Sequence, residues 1–177
     1  MRICRHIEKE LLRWKDANER KPLILRGARQ VGKTFSVAEF SKNFGHFVNL
    51  NLERPREREL FSGFNSGKEL FERILLYKGI KADERDTLLF IDEIQNSHVA
   101  MNQMRYFYEE LPGLHVMAAG SLLEIKIKQE GFSFPVGRVE YCYMYPVTFY
   151  EFLDALGDNE TLAYLQQLRY DSAIPEE

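Results

Sequence analysis

An eight-residue segment near the amino end of the sequence has the residue types and spacing of a phosphate-binding loop. Residues 27–34 read GARQVGKT and match the pattern G-x-x-x-x-G-K-[S/T] at every fixed position. Glycines at the first and sixth positions let the backbone bend, so that successive N–H groups converge on phosphate oxygens. The pattern therefore predicts a cradle for the phosphates of a nucleotide. The residues expected to bind the nucleotide are Gly27, Ala28, Arg29, Gln30, Val31, Gly32, Lys33, Thr34 and Phe35.

The charged and hydroxyl side chains of this cradle have separate expected roles. Lys33 is expected to reach the β- and γ-phosphates, and the Thr34 hydroxyl to ligate Mg²⁺. Arg29 has two interpretations, since it either faces solvent or touches the nucleotide or a partner. The segment as a whole also has a second interpretation, a tight strand-to-helix turn without a ligand. Because two glycines followed by Lys-Thr arise by chance in about one such chain in a hundred, the phosphate cradle is favoured.

A second pair of candidate residues, Asp92 and Glu93, ends the apolar run TLLFIDE at 87–93. In a phosphate-loop fold, an Asp at the carboxyl end of a neighbouring strand holds Mg²⁺. An adjacent Glu can then act as the general base that polarises the attacking water. The pair therefore favours hydrolysis of the nucleotide over its mere storage. The alternative is that both carboxylates begin the next helix, where negative charge is favourable.

The elements that position these residues can be predicted from apolar periodicity. A short buried strand at 23–27 runs into the cradle, and a helix follows it. The polar stretch at 53–59 is predicted to be a solvated loop or a short helix, and Thr148 and Glu151 form a T-x-x-E capping box that starts a helix. The predicted helices are 5–17, 33–44, 68–79, 101–111, one beginning at 148, and 161–170; the predicted strands are 23–27, 47–53, 87–93, 114–120 and 138–145.

Five apolar strands that alternate with helical segments predict an α/β fold. The sheet is expected to be parallel and to carry helices on both faces, which makes a three-layer sandwich. A chain of 177 residues, 45% of them apolar, fits a single domain with a substantial core. We therefore expect one domain over 1–177, with the nucleotide-binding core at about 20–155 and further helices at about 148–170.

Charge and composition restrict the partners and the compartment. The 24 Lys and Arg residues against 27 Asp and Glu residues leave a formal charge of −3, which argues weakly against nucleic acid as the main partner without excluding it. The two cysteines, Cys4 and Cys142, cannot build a disulfide framework or a four-ligand zinc site. The amino end lacks a signal-peptide pattern, and no apolar run reaches the ~18 residues of a membrane span. The sequence thus predicts a cytoplasmic protein that does not act in a membrane.

Several segments together resemble the AAA+ ATPases. More closely, the sequence is similar to prokaryotic ATP-binding proteins in which an AAA domain precedes a C-terminal domain of unknown function. The resemblance covers most of the chain from about 20 to 155. The segments that carry it are GARQVGKT (27–34), LLFIDEIQ (88–95), AAGS (118–121), Gly137-Arg138 and PVTFYEFL (146–153).

The resemblance implies a P-loop NTPase fold with strand order 5-1-4-3-2, in which the strand at 47–53 does not separate the strands at 23–27 and 87–93. It also implies ATP and Mg²⁺ as ligands, in keeping with the absence of the N-K-x-D motif by which small GTPases read their base. A homo-oligomer or a partner protein is the implied assembly. The chain leaves no room after residue 155 for the family's helical lid or its C-terminal domain, so we expect a shortened form.

Three further residue roles follow from the resemblance alone. Ser121 stands where AAA+ proteins carry the sensor-1 polar residue that helps to position the water; the alternative is that Ser121 and Glu124 form a capping box. Arg138 is implied as a γ-phosphate-sensing arginine, in the same chain or a neighbouring subunit, against a surface or structural role. The segment from Ile3 to Ile7 is implied as a wall for the adenine base.

Three functions remain open at this point. The first is an ATPase that hydrolyses ATP to ADP and phosphate and thereby drives a conformational change, with Glu93, Lys33, Ser121 and Arg138 as its catalytic residues. The second is a nucleotide-gated scaffold that binds ATP with negligible turnover. The third is a phosphotransferase acting on a small molecule, against which the Glu93 carboxylate argues.

Overall fold

The computed structural model describes residues 3–63, 66–121, 135 and 137–168. In chain order its α-helices are α1 (Ile7–Lys15), α2 (Lys33–Phe40), α3 (Pro55–Glu59), α4 (Gly67–Lys78), α5 (His98–Glu110), α6 (Phe149–Leu156) and α7 (Asn159–Gln167). Its strands are β1 (Leu23–Arg26), β2 (His46–Asn51), β3 (Thr87–Asp92), β4 (His115–Gly120) and β5 (Glu140–Tyr143). Short 3₁₀ turns lie at Ser41–Asn43, Glu84–Asp86 and Ile94–Asn96.

The five strands form one parallel sheet in the order β2-β3-β4-β1-β5. Read in the opposite direction this order is 5-1-4-3-2, so the expected order is confirmed. β4, not β2, lies between β1 and β3. All strands run in the same direction, so their last residues lie at the same edge of the sheet. These residues include Arg26 of β1, Asp92 of β3 and Tyr143 of β5. We call this the carboxyl edge; loops that follow it are the usual place for ligands in α/β folds.

Two apolar cores, one on each face of the sheet, produce the predicted three layers. Successive residues of a strand point to opposite faces, so Leu89 contributes to one core while its neighbour Phe90 contributes to the other. The first core is closed by α4 and α5, the second by α1 and α2. The helices therefore cover both faces of the sheet.

Helix termini follow local capping chemistry. The Ser66 hydroxyl accepts from the Glu69 amide at the start of α4, and Gly79 ends that helix in the left-handed conformation. Thr148 and Glu151 form the complete capping box at the start of α6, as the sequence predicts. Ser97 caps α5 through the Ala100 amide, which is why α5 begins three residues before the predicted 101.

The polar stretch at 53–59 differs in part from its prediction. It does form a short helix, α3, but the helix is not wholly solvated. The Glu57 carboxylate is buried, and it accepts hydrogen bonds from the Asn51 amide at 2.5 Å and from Lys78 Nζ at 3.0 Å. Glu57 thus fastens the end of β2 to the end of α4.

Two other predictions concern the ends of helices. The helix predicted at 33–44 ends at Phe40 and passes into the 3₁₀ turn at Ser41–Asn43. The capping box predicted between Ser121 and Glu124 lies outside the described residues, since 122–134 are not among them. Among the described helices none combines the length and the apolar character needed to cross a bilayer.

Candidate nucleotide site

The predicted cradle is a left-handed backbone turn between β1 and α2. Its first glycine, Gly27, has φ +152°, and a Cβ placed there would lie 2.3 Å from the Met144 carbonyl oxygen. Gln30 and Gly32 also have positive φ, at +63° and +93°. A non-glycine residue held at positive φ is strained, and such strain collects at ligand-binding loops. This turn leads directly into α2, whose first residue is Lys33.

Lys33 is held inside the turn. Its side chain is only 9% exposed, and Nζ donates to the carbonyl oxygens of Gly27 at 2.9 Å and Ala28 at 2.7 Å. Burial lowers the pKa of Lys33, whereas the Glu93 and Asp92 carboxylates act in the opposite direction. The ammonium group is thus placed beside two carboxylates at the centre of the turn.

Thr34 and Asp92 meet across the sheet edge. The Thr34 hydroxyl donates to Asp92 Oδ2 at 2.8 Å, and Asp92 is 7% exposed. Burial raises the pKa of Asp92, and the hydrogen bonds from Thr34 and from the Glu93 amide oppose the rise. A paired hydroxyl and carboxylate are the oxygen ligands that suit Mg²⁺, which takes one or two protein ligands and completes its shell with water and phosphate. The donor set therefore fits this ion, although the described residues contain no group of three or more His, Cys, Asp or Glu side chains arranged as a metal site.

Glu93 turns away from the strand in a strained conformation. Its φ is +54°, and its amide donates to Asp92 Oδ1 at 3.0 Å. The Glu93 carboxylate accepts a short hydrogen bond from the side-chain amide of Gln95, which is buried. These contacts fix the direction of a carboxylate at the mouth of the site.

One cleft of about 410 Å³ is lined by nine of the thirteen predicted site residues. Ser121, the residue after β4, lines it, and the Ser121 hydroxyl is buried without a hydrogen-bond partner in the described part of the chain. The cleft-lining residues are Arg29, Gln30, Gly32, Lys33, Thr34, Phe35, Glu53, Asp92, Glu93 and Ser121.

Glu53 is a member of this cleft that the sequence analysis did not single out. It follows β2 two residues after Asn51, which pairs with Asp92 in the sheet register. The signal that could have found it is the one that identified Asp92, a carboxylate just beyond the carboxyl end of an apolar strand. It was missed because it begins the polar stretch at 53–59, which the sequence predicts to be a solvated loop or a short helix.

A second cleft of about 310 Å³ adjoins the first and shares Gln30, Gly32 and Phe35 with it. Ile3, from the segment predicted as an adenine wall, lines this cleft together with Val147. Ile7, at the other end of that segment, lies in the core beneath α1 instead. The predicted wall is thus divided between a cleft and the core.

Arg138 is the one predicted site residue that the structure does not bring to the cradle. It precedes β5, whose first residue, Glu140, pairs with Leu23 at the amino end of β1. Arg138 therefore lies at the opposite edge of the sheet, where its Nε is 3.1 Å from Glu109 Oε1. This position removes the same-chain alternative, because the γ-phosphate would lie at the carboxyl edge, a strand length away. The role in a neighbouring subunit stays a prediction.

A parallel α/β sheet of this order, with a GxxxxGKT turn after β1 and a carboxylate after β3, defines a P-loop domain of the AAA type. A comparison with protein families gives the same class from the sequence: the AAA domain family matches residues 19–153. Since this is well over half of the chain, the chain belongs to the AAA domain family. A search of curated proteins finds no match.

Solved structures that match the chain include a Walker-type ATPase of Pyrococcus abyssi, 20% identical, with a TM-score of 0.52, covering 94% of this chain and 63% of that one. PCH-2 of C. elegans is 12% identical, with a TM-score of 0.48 and coverage of 96% and 45%. The Pif1 helicase from Candida albicans is 18% identical, with a TM-score of 0.47 and coverage of 99% and 46%. The present chain thus spans less than two thirds of each of these chains. At such identities the likeness to the Pyrococcus protein shows the fold.

Proposed function

We propose that this domain binds ATP with Mg²⁺ and hydrolyses it to ADP and phosphate, and that the cycle drives a conformational change. The observation that carries the proposal is the 2.8 Å hydrogen bond between Thr34 and Asp92, beside the buried Lys33 ammonium and the Glu93 carboxylate. Phosphoryl transfer needs positioned positive charge, a metal site and an oriented water more than covalent chemistry. Those requirements match the side chains gathered in this cleft.

Each side chain has a distinct part in the proposed reaction. The cradle amides and Lys33 hold the phosphates, with Lys33 exchanging its two carbonyl acceptors for phosphate oxygens. Thr34 and Asp92 would hold Mg²⁺, which supplies charge neutralisation for the transferring phosphoryl group. Glu93, held by Gln95, accepts a proton from water as the oxygen of that water bonds to the γ-phosphorus and the bond to the β-phosphate oxygen breaks. The Ser121 hydroxyl helps to orient the water.

Direct binding measurements test the site assignment. Lys33→Ala is expected to remove ATP binding in calorimetry, because the phosphates lose their central counter-charge. Lys42→Ala is the matched control, since Lys42 is an exposed lysine that lies just after α2 and pairs with Glu39. Equal ATP affinity in the native protein and Lys33→Ala would contradict the assignment.

Single-turnover hydrolysis separates the proposed ATPase from the scaffold and from the phosphotransferase. Glu93→Gln is expected to keep binding and to lose turnover by about 10²–10⁴-fold, the usual contribution of a general base. Tight binding with no hydrolysis in the native chain would favour the scaffold. ADP release that depends on an added small-molecule acceptor would favour phosphate transfer.

A further inference from the structure

One guanidinium group, that of Arg5, connects the cradle to the first turn of α6. Nη1 donates to the Val31 carbonyl oxygen at 3.0 Å, and Nη2 donates to the Tyr145 carbonyl oxygen at 2.7 Å. Nε lies 3.2 Å from Glu151 Oε1, and the two side chains are only 10% and 4% exposed. Two regions that are far apart in the sequence, the cradle and the segment 145–151, thus meet on one side chain.

Glu151 fixes the other end of this connection. Its Oε1 accepts from the His6 amide at 2.7 Å, and its Oε2 accepts from the Thr148 amide at 2.8 Å. Burial opposes the charge of Glu151, but hydrogen bonds from the His6 and Thr148 amides, together with Arg5, lower its pKa overall. The same carboxylate therefore completes the cap of α6 and holds the segment that carries Arg5.

The contact with Val31 bears directly on the cradle. A trans peptide unit is planar, so its N–H points away from its C=O. The carbonyl of Val31 and the amide of Gly32 belong to one such unit. When Arg5 holds that carbonyl on its own side, the Gly32 N–H is directed to the opposite side of the turn.

We propose that Arg5 is a positioning residue for the phosphate cradle, and that the Arg5–Glu151 pair couples nucleotide occupancy to the ordering of α6. This inference rests on the proposed function, because it concerns the same cradle. A phosphate that accepts from the Gly32 amide polarises the peptide unit and strengthens its bond to Arg5. Coupling between two sites is reciprocal, so weakening of the Arg5–Glu151 pair lowers the affinity for the nucleotide by the same factor.

The proposal is tested with three variants and one control. Arg5→Lys keeps the charge but not the planar fork that reaches three acceptors. Arg5→Gln removes the charge as well. Glu151→Gln acts from the α6 side and keeps the cap, since glutamine serves in a capping box. The control is Arg13→Gln, which makes the same change at an exposed position of α1.

Two readouts are measured with a non-hydrolysable ATP analogue and Mg²⁺. The affinity of each of the three variants is expected to fall about tenfold, equivalent to ~1.4 kcal/mol, with Arg13→Gln unchanged. Hydrogen exchange at 149–156 is expected to slow on nucleotide addition in the native protein and in Arg13→Gln. In Arg5→Lys that response is lost, while the amides of 27–34 remain protected at saturating nucleotide.

A purely structural role for Arg5 gives a different pattern, in which α6 exchanges equally with and without nucleotide in the native protein. That result, or native affinity in Arg5→Lys and Glu151→Gln, would overturn the inference and leave the proposed function intact. Native affinity in Lys33→Ala would instead overturn the proposed function. If Arg5→Gln does not fold, Arg5→Lys and Glu151→Gln still decide the matter.

Discussion

At Gly27 the chain has no room for any side chain. A Cβ there would lie 2.3 Å from the Met144 carbonyl oxygen, and the backbone has φ +152°. Gly27→Ala is therefore expected to lower the free energy of unfolding by several kcal/mol, since overpacking alone costs ~1–3 kcal/mol. Gly79→Ala is the matched control, because Gly79 also has a positive φ, +67°, but open space around it.

The control should cost only about 1 kcal/mol, the penalty of a left-handed conformation. Urea unfolding of both variants measures the difference. If the two variants were equally stable, the close approach of the cradle to the segment after β5 would be refuted. The comparison thus isolates the steric requirement of the cradle from the general preference of such turns for glycine.

Asp92 illustrates a conflict between stability and ligand binding at a single residue. Burial raises its pKa, so the ionised form is disfavoured in the fold and weakens it at neutral pH. Asp92→Asn keeps an acceptor for the Thr34 hydroxyl, and it removes the charge together with the second acceptor, which the Glu93 amide uses. The melting temperature without ligand is expected to rise by a few degrees, while the additional stabilisation by Mg²⁺ with nucleotide disappears. Thermal melts with and without Mg²⁺ and nucleotide check both parts, and a lower melting temperature without ligand would contradict the first.

At the scale of elements, Glu57 joins α3, β2 and α4. Glu57→Gln removes the charged partner of Lys78, and we expect about 2 kcal/mol of lost stability, as for a hydrogen bond to a charged group. The control is Glu59→Gln, on the exposed side of the same short helix. Chemical denaturation measures both. Equal stability of the two variants would mean that the buried carboxylate does not hold these elements together.

The same carboxylate gives that junction a pH dependence of defined sign. Burial opposes ionisation of Glu57, but its hydrogen bonds from Asn51 and Lys78 lower its pKa below the ordinary value of 4.5. Its contribution to stability is therefore complete above that value and is lost as the pH falls through the lower, folded value. In Glu57→Gln this acid-side loss is expected to be absent.

A single sequence reveals contacts between neighbouring residues but not contacts between distant segments. Capping and cradle chemistry is local, so Thr148 and Lys33 could be assigned from a few neighbouring letters. Glu57 and Arg5 could not, because their partners lie in other segments and meet them only after the sheet has formed. Their letters in the sequence are those of ordinary surface charges. The Ser97 cap is also local, but the apolar stripe that predicts α5 begins only at Met101, three residues inside the helix.

At the scale of the whole molecule, the strand order determines which site residues lie next to each other, and no single motif shows this. Inserting β4 between β1 and β3 leaves the cradle and Asp92 at one edge and brings Ser121 between them. The alternation of strands and helices predicted this parallel sheet, and the resemblance to AAA+ proteins supplied its order. The position of Arg138 needed the register of β5, which periodicity alone does not give.

His115 joins the sheet to the helical layer on one face, and we expect it to determine how the free energy of unfolding changes in mild acid. It lies at the start of β4, with its ring 5.9 Å from that of Trp14 in α1 and 4.7 Å from that of Phe44. Burial, and then the positive charge of Arg20, lower the pKa of His115 to about 4. Lys15 adds to this effect by its charge, whereas Asp16 and a hydrogen bond with the Lys15 backbone oppose it.

The sign of the resulting pH dependence follows from the two pKa values. Between pH 6.5 and about 4 the unfolded chain binds a proton at this histidine and the folded protein does not. Stability is therefore full above pH 6.5 and falls as the pH drops towards 4, by up to ~3 kcal/mol at 1.36 kcal/mol per pKa unit. Urea unfolding at several pH values should show this slope in the native protein and in His98→Gln, a change at an exposed histidine. In His115→Phe, which keeps an aromatic ring between Trp14 and Phe44, the slope should be absent; an unchanged slope would assign the acid sensitivity to other groups.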